Sequence, residues 1–579
     1  MTGPDNRPLP AAPGQAPRDT AVFLVLRRLR QPLIVLISAY TIAIVGFTLM
    51  PGTDDQGQPW SMSLFEAFYV VTYTAPTIGF GELPYPFSGA QRLWTAFTIY
   101  LTVLAWLYSV GSLISLMQDQ ALRETLQRWR FQRAVLRIDQ PFWLVCGLGD
   151  SGQRLLHALT EQGRQAVVID PDPRRVETLD LTSGSTGVLA MFADPRNPQV
   201  LREAGLGDRH CFAALAVTDD DLTNLKIAIS SKLLKPSLPV LCQGSDPVVT
   251  ANMASFNTDL ILNPFEAFAL QLELALRAPK ALRVYHSLTQ VPHSRIQHWP
   301  DPPRGPWLIC GYGRLGRAIH ERLQRLGIAT VLVDPVAAAP DPDQPLVRGI
   351  GTEAHTLLEA GVMNARGLIA ATADDVDNLS IVMTARDLNP ELFTIARENA
   401  VANALLFDAA ALDLVVRPGE LVTGQALTVL PTPLLRPVLD AVLERDENWN
   451  AALADRLGAL DNGRAPDVWK LRISARRSPV LNQVLAVEGR SVTLGQLCLD
   501  PRDRRRSVAA IALVLERDRE RIILPDPDTP LQPADQLAFC GTAEALRLMR
   551  RLTGQPVDLH YVLTGGDPPQ RWIGKRLAR

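Results

Sequence analysis

The sequence predicts a multi-domain fold. An α-helical module with two transmembrane helices comes first, two α/β Rossmann-like domains follow, and a small β-rich α+β lobe ends the chain. Three observations predict this. Two long apolar runs, residues 32–50 and 93–117, flank a glycine-bearing loop. A strand, glycine-rich turn, helix, strand, acid pattern occurs twice further on. Residues 467–553 then read as β-rich.

Composition narrows the classes. A chain of 579 residues holds three to four domains of roughly 150 residues. Hydrophobic residues make up 47% and charged residues 20%, the balance of soluble protein with a minor membrane part. The net charge of −2, with no basic block dominating any soluble segment, argues against a nucleic-acid partner. Cys146, Cys211, Cys242, Cys310, Cys498 and Cys540 form no CxxC pair, so neither a zinc site nor a disulfide framework is indicated. Free thiols suit a reducing cytosol. Residues 1–20 are rich in Pro, Ala and Gly. They are expected to be disordered and lack the apolar core of a signal peptide.

The first apolar run reaches roughly 27 Å as a helix, close to the ~30 Å hydrocarbon core. Arg27, Arg28 and Arg30 precede it, and Arg123, Arg128, Arg130, Arg133 and Arg137 follow the second run. The intervening loop carries Asp54, Asp55, Glu66 and Glu82. Both termini are therefore expected in the cytoplasm, as in a multi-pass protein of the cell (inner) membrane. Between the runs, residues 62–74 read as a short amphipathic helix with an aromatic collar of Trp60, Phe65, Phe68, Tyr69 and Tyr73. We read that collar as packing and interface anchoring, without chemistry. The helix ends at Thr77-Ile78-Gly79-Phe80-Gly81-Glu82.

A filter replaces a cation's water with a column of carbonyl oxygens. To aim successive carbonyls at one axis, alternate residues need backbone angles that glycine adopts cheaply. Gly79 and Gly81 meet that need, and Thr77 can add a hydroxyl oxygen. The motif resembles the potassium-channel selectivity filter, Thr-Val-Gly-Tyr-Gly-Asp, with Ile78, Phe80 and Glu82 as exchanges. The resemblance implies that Thr77, Ile78, Gly79, Phe80 and Gly81 line a pore shared by four chains, with K+ as the permeant ion. Pro76 departs from it, standing where such channels carry another Thr, which puts strict selectivity in doubt. Leu107 falls at the usual gating-hinge place; Gly111, one turn later, reads either as the hinge or as a packing glycine.

Residues 118–141 read as a polar, Arg-rich linker helix. An apolar strand then leads into Gly147-Leu148-Gly149-Asp150-Ser151-Gly152, a helix from Gln153, and a second strand ending at Asp170. This is the dinucleotide-binding pattern. Gly147 makes the tight turn, Gly149 lets a phosphate approach, and Gly152 lets helix and strand pack closely. Helix-start amides meet the phosphate, and Asp170 accepts from ribose hydroxyls. Further strands are expected at 188–191, 212–217 and 239–242.

The scheme recurs at Gly311-Tyr312-Gly313-Arg314-Leu315-Gly316 and Asp334, at the same interval for glycines and acid. Glu203-Ala204-Gly205 recurs as Glu359-Ala360-Gly361, and Asp219-Asp220-Asp221-Leu222-Thr223-Asn224 resembles Asp374-Asp375-Val376-Asp377-Asn378. Read with the pore motif, the chain resembles two-transmembrane potassium channels with tandem RCK (TrkA-N/TrkA-C) domains. The boundaries are then a pore module at 21–117, a first RCK domain at 142–297, a second at 306–440 and a TrkA-C-like lobe at 467–560. Residues 524–539 resemble that lobe's hairpin. A single helix-like crossover is expected at 265–283, and a Pro-rich joint at 298–306. The resemblance implies a homotetramer in the lipid bilayer with eight domains in a cytoplasmic ring.

The Asp runs read as helix caps; the rival reading makes Asp219, Asp220, Asp374 and Asp375 calcium ligands. The functional expectation is a ligand-gated potassium channel, not an enzyme. Its ring binds NAD(H) or an adenine nucleotide and pulls on the pore through the linker. The alternatives are a weakly selective cation channel gated by nucleotide or divalent cation, and an NAD-dependent oxidoreductase. No hydride-relay constellation supports the last.

Overall fold

The computed structural model describes residues 17–81, 85–118, 120–182, 187–296, 298–460 and 463–566. Residues 1–16, and Glu82 at the end of the filter motif, lie outside the described residues. The chain divides into two compact units, Met1–Arg137 and Ile138–Arg579.

In the first unit a helix spans Pro17–Leu49, so it begins inside the stretch expected to be disordered. Proline suits a helix's first turn, where its missing N–H has no partner to lose. Leu29–Leu49 and Gly89–Gln118 are long and apolar enough to cross a membrane, with mean hydropathies of 2.2 and 1.7. The second starts earlier than its apolar run because Ser88 and Gln91 close a reciprocal cap: Gln91 N–H donates to Ser88 Oγ (3.3 Å) and Ser88 N–H to Gln91 Oε1 (3.1 Å). The two helices touch at Gly46, where a Cβ would lie 2.0 Å from the Trp94 ring. Trp94 Nε1–H donates to the Ala43 carbonyl there at 3.2 Å. Gly46 thus lets these two helices pack closely; among the described residues a Cβ on Gly111 would meet nothing within 4 Å.

The short helix spans Leu64–Thr74, with Ser63 and Glu66 forming a capping box at its start. Glu66 therefore serves the helix end. Ala67, Val70, Val71 and Tyr73 turn inward onto Ala43, Phe47 and Met62. A polar helix, Gln120–Val135, ends the unit.

The second unit holds two six-stranded parallel sheets with the same strand order. In the first, Phe142–Cys146 lies at the centre, flanked by Gln165–Asp170 and Val188–Phe192 on one side. Cys211–Ala216, Val240–Gln243 and Leu260–Leu262 complete the other side. Every side chain of Phe142–Cys146 is buried, as a parallel sheet covered on both faces requires. The second sheet repeats this around Trp307–Cys310. The copies differ after the acid. Helix Pro173–Thr182 follows Asp170, but among the described residues no helix lies between Thr330–Val333 and Leu346–Val347. Pro335, Pro340, Pro342 and Pro345 remove the donors a helix there would need.

The crossover is two helices, Pro264–Arg277 and Pro279–Thr289, because Pro279 cannot continue the first. They serve different cores. Phe265, Phe268, Ala269 and Leu272 pack with Trp307, Ile309 and Leu315 of the second repeat. Leu282, Tyr285 and Leu288 pack with Leu155, Leu159 and Val168 of the first. Helix Pro418–Thr428 answers in kind, placing Val422 and Ala426 in the first repeat's core. Each repeat thus lends a helix to its neighbour.

The terminal lobe is a four-stranded antiparallel sheet with Asp467–Arg472 and Ala510–Arg517 on either side of Gln536–Gly541. Glu520–Ile523 pairs with Ala510–Arg517. The hairpin turn is Asp518-Arg519, both at positive φ. Of residues 524–539, which resemble the lobe's hairpin, 524–535 form a proline-rich loop that leads into strand Gln536–Gly541.

Candidate functional site

Two kinds of site come together, one in each unit. In the loop after Leu64–Thr74, φ is 65° at Thr77, 66° at Gly79 and 70° at Gly81, whereas Ile78 and Phe80 stay at negative φ. Alternating left-handed residues cancel the usual alternation of peptide planes, so successive carbonyls turn to one side. Among the described residues nothing lies within 4 Å of a Cβ built on Gly79 or Gly81, and it is the left-handed backbone that calls for glycine there. Thr77 holds the same hand at the strain of a β-branched side chain; its type gave no hint of this. The loop is tied to the helix end: Ile78 N–H (2.9 Å) and Gly79 N–H (3.2 Å) both donate to the Tyr73 carbonyl. Phe80 lies edge-on to Tyr73, 6.3 Å between centroids. Ile78 and Phe80 are 58% and 66% exposed.

In the second unit the two glycine loops sit at the carboxyl ends of the central strands, where ligands bind open parallel sheets. Gly147 and Gly311 have φ of 106° and 95°. A Cβ on Gly152 would lie 1.9 Å from the Gly147 carbonyl oxygen, and one on Gly316 would lie 2.1 Å from that of Gly311. Gly149 and Gly313 cap the following helices without any side-chain acceptor, which leaves helix-start amides for a ligand. Among the described residues nothing lies within 4 Å of a Cβ on Gly313, whereas at Gly149 the Asp219 carboxylate lies 3.1 Å away.

Asp170 and Asp334 are drawn inward onto these loops. Asp170 is 1% exposed; its Oδ2 accepts from Leu148 N–H and its Oδ1 from Asp172 N–H at 2.8 Å. Asp334 accepts from Tyr312 (2.7 Å), Val336 (2.9 Å) and Ala337 (2.7 Å) N–H. Burial pushes the Asp334 carboxyl up, but the Ala337, Tyr312 and Val336 amides and nearby Arg348 outweigh it and hold it below its ordinary value. Here, then, the acids fasten the glycine loop to the turn beyond the second strand.

Two residues that sequence reasoning noted only as repeat landmarks hold the cleft mouths. Asn224 Oδ1 accepts from Thr218 N–H (3.0 Å) and Oγ1 (2.8 Å), and its Nδ2 donates to the Gln243 carbonyl (2.9 Å). Asn378 repeats this with Thr372 and Arg397. Both asparagines are fully buried.

The Asp runs behave as caps. Asp220 and Asp374 are N-caps of helices Asp221–Leu234 and Asp375–Leu388. Asp375 is taken up by Asn399, Ala400 and Asn403. Among the described residues no group of three or more His, Cys, Asp or Glu could hold a metal ion, so the calcium reading finds no ligand cage there. All six cysteines are unpaired.

The repeats are joined by a buried ionic network. Glu398 has a side chain 0% exposed and pairs with Arg154 of the first repeat and with Arg417 Nε at 2.7 Å. Arg154 also reaches Asp150 (2.8 Å) and Glu420 (3.2 Å).

Comparison with known proteins places a TrkA-N domain at residues 143–264 and again at 307–418, and a TrkA-C domain at 492–554. "Potassium channel protein 1" of Methanocaldococcus jannaschii is 24% identical over 251 residues, covering 42% of this chain and 66% of that protein. "Voltage-gated potassium channel Kch" of Escherichia coli is 25% identical over 203 residues, covering 35% of this chain and 47% of that protein. The aligned part thus spans less than two thirds of these relatives. Among solved structures, the GsuK channel bound to NAD aligns with a TM-score of 0.42 and 17% identity, over 92% of this chain and 99% of that one.

Proposed function

From its membership of the two-transmembrane potassium-channel proteins with tandem TrkA-N domains and a TrkA-C lobe, we propose that this chain is a nucleotide-gated potassium channel. The observation that carries the pore reading is the left-handed backbone at Thr77, Gly79 and Gly81, in a loop set between two apolar helices. Four such loops, one from each chain of a homotetramer, close a ring of carbonyls around a dehydrated K+ ion. Both termini then lie on the cytoplasmic side of the cell membrane, where the TrkA-N repeats of the four chains form a ring.

The glycine loops supply the regulatory site. The cradle at Gly311, Gly313 and Gly316 fits a nucleotide phosphate, because its helix-start amides have no side-chain cap and its mouth is open at Gly313. Gly147, Gly149 and Gly152 are their counterparts. A nucleotide favours whichever ring conformation it binds better, and that difference in affinity is the free energy that moves the gate. Residues 118–141 carry the movement to the inner helix. The domains act by binding, without turnover.

The test is K+ flux from purified protein in liposomes, with NAD, NADH, ADP or ATP added. The wild type should respond to at least one of them. The double variant Asp170→Ala/Asp334→Ala should lose the response with unchanged ion selectivity, since its loops are no longer fastened. Flux indifferent to all four nucleotides in the wild type defeats the gating reading.

A further inference from the structure

The two glycine clefts share a backbone but not a charge. Four positions around the helix start are equivalent in the two repeats. Asp150 of the first is Arg314 in the second, the residue after the middle glycine. Gln153 is Arg317: Gln153 Nε2 donates to the Leu148 carbonyl (3.1 Å), and Arg317 Nε to that of Tyr312 (3.2 Å). Asp219 is Ala373, each following a threonine tied to the buried asparagine. Gln243 is Arg397, whose main-chain carbonyl takes the same asparagine's Nδ2. The first cleft therefore carries two carboxylates at these positions, and the second three guanidinium groups.

The side chains are disposed accordingly. In the first cleft the Asp219 carboxylate lies over Gly149, where a phosphate would approach. Gln243 Oε1 is occupied by Ser151 Oγ–H at 2.8 Å. In the second, Arg314 and Arg397 both stand over the Phe265 ring, each 4.9 Å from its centroid. Arg314 Nη1 donates to a neutral partner, Ser245 Oγ, at 3.1 Å. The Nε of Arg397 is buried and has no hydrogen-bond partner among the described residues. Two like charges gathered on one ring, one of them with a buried unpaired donor, are held at a cost that an anion between them would remove. Burial and the nearby Arg314 both push the Arg397 guanidinium toward the neutral form.

We propose that the second cleft is the phosphate-binding site of the pair, with Arg314 and Arg397 as its anion contacts, and that Asp150 and Asp219 keep phosphate out of the first. The ligand class is a nucleoside diphosphate or a dinucleotide, and each chain takes one. Asp150 and Asp219 also lie within electrostatic reach of Arg397. Phosphate thus competes with the first repeat's own carboxylates for that arginine, and ligand binding is felt across the contact between the repeats. This assignment rests on the nucleotide reading above.

The test is calorimetric titration of the full-length detergent-solubilised protein with ADP, with inorganic pyrophosphate as competitor. We expect one ADP per chain, displaced by pyrophosphate, with affinity falling as salt rises. Arg314→Gln and Arg397→Gln should each weaken ADP about tenfold or more. Asp150→Asn/Asp219→Ala should admit a second ADP per chain. Two equivalent ADP molecules per wild-type chain would overturn the assignment, and so would wild-type affinity in both arginine variants. The pyrophosphate arm needs no variant: failure to displace ADP from the wild type overturns it as well. If ADP binds once per chain through these arginines yet leaves K+ flux unchanged, the gating reading fails and the assignment stands. If flux responds but the two sites bind ADP equally, the assignment fails and the gating reading stands.

Discussion

Replacing Glu398 by Ala should loosen the contact between the two repeats without unfolding either. Its carboxylate is fully buried and pairs with Arg154 and with Arg417. Removing one partner of a buried ion pair costs about 3–5 kcal/mol, because it strands the other charge. Here neither arginine is left bare. Arg154 keeps Asp150 and Glu420, and Arg417 keeps Asp408 at 2.8 Å. The low end applies, about 3 kcal/mol, or roughly a hundredfold in the opening equilibrium. Native-state hydrogen exchange reads this directly. Slow amides of helices Asp150–Glu161 and Pro418–Thr428, which pack together across the contact, should exchange about a hundredfold faster. Those of strand Gln536–Gly541 in the terminal lobe should not change. Unaltered exchange in the two helices, or equal acceleration in the lobe, refutes the claim that Glu398 joins the repeats.

Three further outcomes are expected. Gly316→Ala places a Cβ 2.1 Å from the Gly311 carbonyl oxygen, a backbone atom that cannot swing aside; it should cost about 1–3 kcal/mol or more and abolish ADP binding by titration. The folded Asp334 carboxyl lies below its ordinary value of 3.8, so the native second repeat binds fewer protons than the unfolded chain. That stability is complete above pH 3.8 and is lost as pH falls through the lower folded value. An acid-unfolding curve should show this limb in the wild type and lack it in Asp334→Asn. Ser63→Ala removes the acceptor that Glu66 N–H uses at 3.3 Å; a lost cap of about 1 kcal/mol should lower the temperature at which K+ flux is half inactivated, with selectivity unchanged.

What was legible in the sequence is what glycine and proline spell. Gly79, Gly81, Gly147 and Gly311 take positive φ, and Gly152 and Gly316 admit a backbone oxygen no Cβ would tolerate. Some features were written locally and read too coarsely. The Ser63–Glu66 box marks a helix start, Pro279 divides the crossover, and the prolines after Asp334 delete a helix. Others had no local sign. Arg154 and Glu398 meet across 244 residues of chain, and the exchange of helices between the repeats is decided by which core each apolar face finds. Thr77 was legible as a possible ligand but not as a left-handed residue, because threonine rarely takes that conformation without its neighbours' insistence.

Ion selectivity is read from the reversal potential of the purified protein in planar bilayers, with a K+ gradient across the membrane and Na+ replacing K+ on the dilute side. We expect a current that reverses close to the K+ equilibrium potential and disappears in Gly79→Ala. A protein that conducts nothing, or a current that reverses at zero, would contradict the pore reading.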